Sequence, residues 1–415
     1  MNEDEQRGHR GAMTRWSVRL AIILGVTLAL CGAVLLVCRT YYAGQLQDEL
    51  DSIGPEHSLA IADLVADYYP PIAATDNAAA LWLDAAAVYG DAESPLATAE
   101  PPYSEAVWEQ LRAHVATHDQ VFDLIDRALQ RPDCRFDVDY SNGIMADFTA
   151  VLSLRPLTQL LATRTALAVH DRKPEEATAG VEGLFRCAAS CPDFPLVPFL
   201  SRLAFQRAAL QQAEGVLALD LTASQLQRLE SAVRSQQPNA MRALYAERAL
   251  SSAHFGEVAT MDGTRLLAWL GLLDADHAYC LAGFRSYLEV FDLPDPERIA
   301  AVAKVDDWQM STIGAFPPKA LSNLIIPSGA MILRSLLSVR ALVAVTTAAI
   351  QTERTRVVTG VLAEQPVIEV LDPYTGEPLR FVRTSSHYTI YSVGADLGDD
   401  LGDRNTDVAI TVPIK

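Results

Sequence analysis

The sequence predicts a mainly α protein with an N-terminal transmembrane helix, a body of helical hairpins and a small C-terminal α+β head. Three observations carry this. Leu20 to Cys38 is nineteen residues without a charge, enough to span about 30 Å of hydrocarbon as a helix. From about residue 55 to 310, alanine- and leucine-rich segments repeat apolar residues at i, i+3, i+4 and i+7, with short joints between them. From Asp372 onward the pattern changes to period-two alternation, turn dipeptides and an aspartate- and glycine-rich loop.

The span comes first. Arg7, Arg10, Arg15 and Arg19 precede it, whereas Arg39 is soon followed by Asp48, Glu49 and Asp51. The positive-inside rule assigns 1–19 to a cytoplasmic tail, 20–38 to the membrane and everything after to the exported side. Trp16, Tyr41 and Tyr42 stand where interfacial aromatics belong. The rival is a cleaved signal peptide, whose apolar core is usually about 7–15 residues and ends in a small-residue cleavage site; "RTYYAGQ" is a poor one. Cys31 is no lipoprotein cysteine, because Leu30 precedes it and apolar residues follow.

Composition bounds the remainder. Half of the 415 residues are apolar, which excludes both a disordered chain and a multi-span protein. A net charge of −19 lacks the basic footprint that nucleic-acid binding requires. Residues 40–415 carry 28 basic and 49 acidic side chains, an acidic body on a basic stub. Six cysteines in a chain of this length are no disulfide framework. A Cys134–Cys280 bridge is one reading and buried free thiols the other.

Within the body (39–310), "YYAGQLQDELDSI" continues the first helix past the membrane, and Asp76 is placed to cap a helix from Ala78 to Tyr89. A proline-bearing linker, "ESPLATAEPPYS", leads to helices near 104–117 and 119–130. Residues 147–235 read as four helices: one bent at Pro156, one begun by Pro174 with Glu175 and Glu176 in its first turn, and two more to Gln236. Short joints make neighbours antiparallel. The arrangement resembles tetratricopeptide arrays in architecture, without their 34-residue period. Further helices cover about 238–260, 276–291 and 295–307. In "LIIPSGAMILRSLLSVRALVAVTTAAI" the arginines Arg334 and Arg340 leave only ten uncharged residues, Ala341 to Ile350, so a buried core helix is expected rather than a second span.

Phosphate-binding glycine loops, HExxH, GxSxG and paired CxxC are absent from the sequence. His114 and His118 at i, i+4 could share a metal, but an ordinary solvated face is the plainer reading. Cys187 and Cys191 likewise read as small buried residues. Asp274, Asp276, Asp306 and Asp307 read as surface acids.

In the closing stretch Pro373 and Gly376 make "DPYTG" a turn. "PLRFVR" and "YTIYSV" read as antiparallel strands around "TSSH", with Leu379, Phe381, Tyr388, Ile390 and Ser392 in matched parity. Asp396, Asp399, Asp400, Asp403 and Asp407 then crowd twelve residues with Gly398 and Gly402. Their mutual repulsion would be relieved by a hard cation such as Ca²⁺, against the alternative of a solvated acidic turn.

"DPYTGEP", "YTIYSVGAD" and "NTDV" together resemble the C-terminal head of the major pseudopilin of type II secretion systems. The resemblance covers about 40 residues, or about 80 with the preceding helix, and gives 328–415 as a head. It implies that a helix, Leu336 to Thr355, packs under the sheet and that the loop binds calcium through Asp396, Asn405 and Asp407, with backbone carbonyls near Val393. The family's glycine pair is replaced by Asp400 and Leu401, its Gly-x-Tyr-Pro segment is missing, and no prepilin peptidase site stands at the N-terminus. The chain is therefore read not as a pilus subunit but as a membrane-anchored protein carrying a pseudopilin-like head. Its expected place is the bacterial cytoplasmic (inner) membrane, N-terminus inside and body periplasmic. The expected role is a non-enzymatic scaffold or module binding an unidentified protein. The alternatives are an accessory part of a secretion or pilus-like machine, and an envelope hydrolase whose site would gather His254, His277 or acidic side chains.

Overall fold

The computed structural model describes residues 3–54, 57–90, 94–95, 103–235, 238–314 and 316–414, with side chains at Trp16 and from Arg19 onward. Most of the proline-bearing linker lies outside the described residues, as do the side chains of Arg7, Arg10 and Arg15.

The chain is mainly helical and ends in a three-stranded sheet. Helix α1 (Glu3–Asp51) is continuous through the apolar run and its charged sequel. Its apolar window has a mean hydropathy of 2.8 and none of it is buried. Thr27 is the single hydroxyl residue of that run, and it donates to the Ile23 carbonyl at 2.9 Å. A backbone partner of this kind is what a polar group needs where water is absent.

Short helices follow: α2 (Ile61–Tyr68), α3 (Ala79–Tyr89), α4 (Glu105–Ala116) and α5 (Asp119–Leu129). The cap of α3 is Asn77 and not Asp76. Asn77 Oδ1 accepts from the amides of Ala79 and Arg135, and its Nδ2 donates to the Arg135 carbonyl at 2.8 Å, so one side chain caps the helix and clips on a distant strand-like segment. After α6 (Thr149–Leu152) the chain breaks at Ser153, and α7 (Leu154–His170) starts afresh. Pro156 therefore sits in a first turn, where its missing N–H costs nothing, and bends no helix.

Helices α8 (Pro174–Ala189), α9 (Leu196–Leu217) and α10 (Ala223–Arg234) complete the antiparallel centre. Pro174 opens α8 as expected, and Thr222 with Gln225 forms a capping box on α10. Helices α11 (Ala240–Thr260), α12 (Arg265–Trp269), α13 (Leu272–Asp292), α14 (Asp295–Ser311) and α15 (Ala320–Ile325) form a second group, against which the last part of α1 packs through α13.

Helix α16 (Gly329–Thr359) is the axis of the molecule. It packs on α9, α10 and α14, and on the sheet. The sheet is β1 (Arg380–Arg383), β2 (His387–Ser392) and β3 (Val408–Pro413), antiparallel in sequence order, with Phe381 opposite Ile390 and Ile390 opposite Ile410. One apolar core runs from Trp82 and Phe185 through Leu336 and Ile350 to Tyr388 and Val412. Body and head thus share a core, although 310 and 328 were the boundaries expected from sequence. The reason is that α16 is apolar around much of its circumference, so it needs partners on both sides.

Two acids expected at the surface act as helix caps, Asp276 buried and Asp306 half-buried. Asp276 accepts from the amides of Leu321 (2.9 Å) and Ser322 (3.1 Å) at the start of α15. Asp306 accepts from those of Gly329 and Ala330 (both 3.2 Å) at the start of α16. Helix N-termini expose unpaired N–H groups and positive potential, which carboxylates satisfy.

Candidate functional site

The closing turn and loop are built around two buried carboxylates. Asp372 accepts from the Tyr374 amide (2.9 Å) and the Ser392 hydroxyl (2.8 Å) through one oxygen, and from the Val393 amide (3.0 Å) through the other. This knots the "DPYTG" turn to the end of β2. Gly394 follows at φ +71, and a Cβ there would lie 2.3 Å from the Thr406 carbonyl oxygen, so the loop's two ends close only around glycine.

Between them the loop folds back over the sheet. Gly402 packs on Thr389 and the Tyr391 ring. That covers the face of β2 opposite α16 and explains why both Tyr388 and Tyr391, on opposite faces, are buried. Asp399 accepts from the Tyr391 hydroxyl at 3.0 Å and pairs with Arg380. Asp403 accepts from the amide and side chain of Asn405. Arg404 pairs with Glu214 of α9, whose carboxylate also accepts from the Thr411 amide at 3.0 Å. The acidic loop is thereby fastened to the body.

The three residues singled out in this loop differ in placement. Asp407 is buried, its Oδ2 accepts from the Gly402 amide at 2.8 Å, and the Asp400 backbone also lies against its carboxylate. Burial pushes the Asp407 carboxyl above its ordinary range, and the neighbouring Asp400 and Asp399 add to the push. Asp396 and Asn405 are exposed, with Asp396 Oδ1 turned onto the Gly398 amide at 3.1 Å. Among the described residues, no three His, Cys, Asp or Glu side chains form a group that could hold a metal ion. One buried carboxylate therefore faces a loop of further acids.

Beside the head, a cleft of about 320 Å³ opens between α16 and the extended segment 361–368. Its lining is apolar and neutral apart from Arg356, which is bound to Glu353 at 2.7 Å. Val367 at its rim is 88% exposed, and Val358 and Val361 are exposed near it. Glu353 is buried and also accepts from the Tyr388 hydroxyl at 2.9 Å, so the cleft wall is tied to β2. A second cleft of about 630 Å³ contains Asp295, but this carboxylate is already paired with Arg298 and Arg340.

The histidines divide. His277 Nε2 lies 2.9 Å from the Ser252 hydroxyl, and its ring stacks on Phe255. Burial lowers its pKa to about 4, which makes it a weak base. His254 faces Glu257 at 3.3 Å, three residues along the same helix. His114 lies in the last turn of α4 and His118 is the N-cap of α5, so they do not share one helix, although their ring centroids are 4.5 Å apart. His114 Nε2 lies 3.0 Å from the Tyr89 hydroxyl, and His118 Nδ1 donates to the His114 carbonyl at 2.7 Å.

Cys134, Cys187 and Cys191 gather near Ser190, whereas Cys280 lies in a separate cluster with Phe255 and Phe284. All are free thiols, and burial pushes Cys134 and Cys187 up to about 12. A Cys134–Cys280 bridge is thus ruled out by placement. Sequence reasoning missed β3, Glu214 and Asn77. The alternation of "VAITV" was a usable signal for the first; Glu214 acts through partners far along the chain, and Asn77 joins a local cap to the distant Arg135.

No family model, no characterised protein and no solved structure matches the chain.

Proposed function

We propose that this is a single-pass, membrane-anchored envelope protein that acts without catalysis, as a scaffold or binding module, and that the groove beside α16 receives the partner. The observation that carries the reading is the cleft lined by Thr352, Thr355, Pro366 and Ile368, with exposed valines along its rim. Apolar and neutral walls bind a peptide or protein segment, whereas catalysis needs convergent reactive groups. The bacterial inner membrane, with the N-terminus inside and the body periplasmic, suits the arginine distribution around the span. The body is read as tetratricopeptide-like helical hairpins and 328–415 as a pseudopilin-like head.

A photo-crosslinking side chain at position 367 of the full chain in native membranes tests this. A discrete protein adduct that disappears in Val361→Asp supports it; an adduct-free protein contradicts it.

A second reading concerns the acidic loop, with Ca²⁺ held by Asp396, Asn405 and Asp407. The support is the burial of the Asp407 carboxylate beside Asp399 and Asp400, since crowded like charges at a buried carboxylate are costly without a cation. When bound, the ion would supply charge compensation and stiffen the loop, with no chemical step. Thermal unfolding with calcium and with chelator tests it: a calcium-dependent rise in Tm that Asp407→Asn abolishes supports the reading, and indifference to calcium contradicts it.

A further inference from the structure

The start of α13 touches α1 where the apolar run ends. A Cβ placed on Gly271, the residue before α13, would lie 3.1 Å from the Arg39 Cα, and Arg39 immediately follows Cys38. Farther along both helices Arg285 pairs with Glu49 at 2.9 Å. Two contacts in the same order make α13 run parallel to the emerging end of α1. Gly271 is then level with the end of the span, and α12 ends two residues before it and packs on α13.

Helix α12 has no buried residue. Leu266 is 65% and Trp269 57% exposed, with Leu267 and Met261 also in the open. Such a tip is costly in water, at about 25 cal/mol for each Å² of apolar surface left exposed. Phe316, 78% exposed, reaches the same region from the connection between α14 and α15, where it shares a cleft wall with Tyr41 and Tyr42. Arg265, paired with Asp262 at 3.0 Å, lies on α12 itself, and Lys319 lies over the Tyr279 ring in the cleft wall with Phe316. Tryptophan, tyrosine and basic residues around a short apolar tip are the composition of an element that lies in the headgroup region.

We propose that the α11–α13 tip, together with Phe316, is a second, monotopic contact with the bilayer that α1 crosses. It inserts Leu266, Leu267 and Trp269 into the boundary between headgroups and acyl chains. The occupant is lipid because the tip is held against the residue at which the span leaves the membrane. The contact fixes the tilt of the body over the surface, which a single helix alone leaves free. This inference rests on reading α1 as a retained anchor.

The test uses the full chain in phosphatidylcholine–phosphatidylglycerol vesicles with acyl chains brominated near the headgroup, which quench tryptophan on contact. Trp16 belongs to the opposite interface, about 35 Å away along the helix at 1.5 Å per residue, so Trp16→Phe serves as the background. Brominated lipid should quench part of the emission of W16F, and adding W269F should remove most of that part, because Trp269 is the tryptophan the contact places among the lipids. Trp269 is exposed, so this change leaves the fold intact, with unchanged near-UV circular dichroism as the check. An equal quenched part in both proteins, while the chain resists carbonate extraction, would overturn the proposal and leave the anchor standing. Release of the chain by carbonate, with its N-terminus beyond residue 38, would overturn the anchor and the lipid contact together.

Discussion

Helices α1 and α16 are both long and apolar enough to cross a membrane, and the fold uses them in opposite ways. The α1 window has a mean hydropathy of 2.8 and is wholly unburied, whereas that of α16 has 1.5 and is 56% buried. The contrast lies in what each does with polarity. Within the α1 run the lone hydroxyl turns back onto its own helix. Along α16 three of its five charged groups reach another element: Arg340 to Asp295, Arg354 to Glu230, and Glu353 to the Tyr388 hydroxyl. A helix whose charges have protein partners is a core helix, whatever its hydropathy.

Truncation should separate the two most sharply. Leu336→Ala removes a fully buried side chain from α16 and should cost roughly 2–5 kcal/mol of folding stability. Leu28→Ala in the exposed part of α1 should leave the denaturant midpoint of the body unchanged. Equal effects would erase the distinction.

Charge on α16 should matter next. Glu353→Ala leaves the half-buried Arg356 and the buried Tyr388 hydroxyl without their shared partner, a loss of about 2 kcal/mol. Tyr388→Phe should cost about 1 kcal/mol. Chemical denaturation of both variants in detergent measures the ratio.

The partition between readable and unreadable features follows the range of the forces involved. Local periodicity exposed the helices around 105–129 and 174–234, and proline and glycine chemistry exposed the "DPYTG" turn and the β1–β2 hairpin. Asp276 and Asp306 looked like surface acids because the amides they cap lie 45 and 23 residues away or thereabouts along the chain. The union of head and body was hidden for the same reason: nothing local shows that Glu230 on α10 meets Arg354 on α16. In the loop, the crowding of aspartates was legible, but which one would be buried was not. That depended on Gly402 folding onto Tyr391.

Acid provides a graded effect, and it separates two buried titratable groups of opposite sign. His277 is held neutral, with its folded pKa near 4, below the ordinary histidine value of 6.5. The unfolded chain binds the proton first, so the stability this supplies is complete above about pH 6.5 and is lost as pH falls towards 4, up to about 3 kcal/mol. His277→Gln should flatten the unfolding profile across that window. Asp407 is raised instead, so its protonation favours the folded state, and without calcium stability rises as pH drops through its folded pKa. Asp407→Asn should therefore raise Tm slightly in chelator and remove any gain from calcium, the smallest shift of the set.

The opposed roles of α1 and α16 are tested most directly by carbene photolabelling from lipid acyl chains in native membranes, with the modified peptides mapped by mass. Modification should concentrate within 20–38 and spare 329–359. Heavy labelling of 329–359, or a mature protein lacking 20–38, would contradict the account.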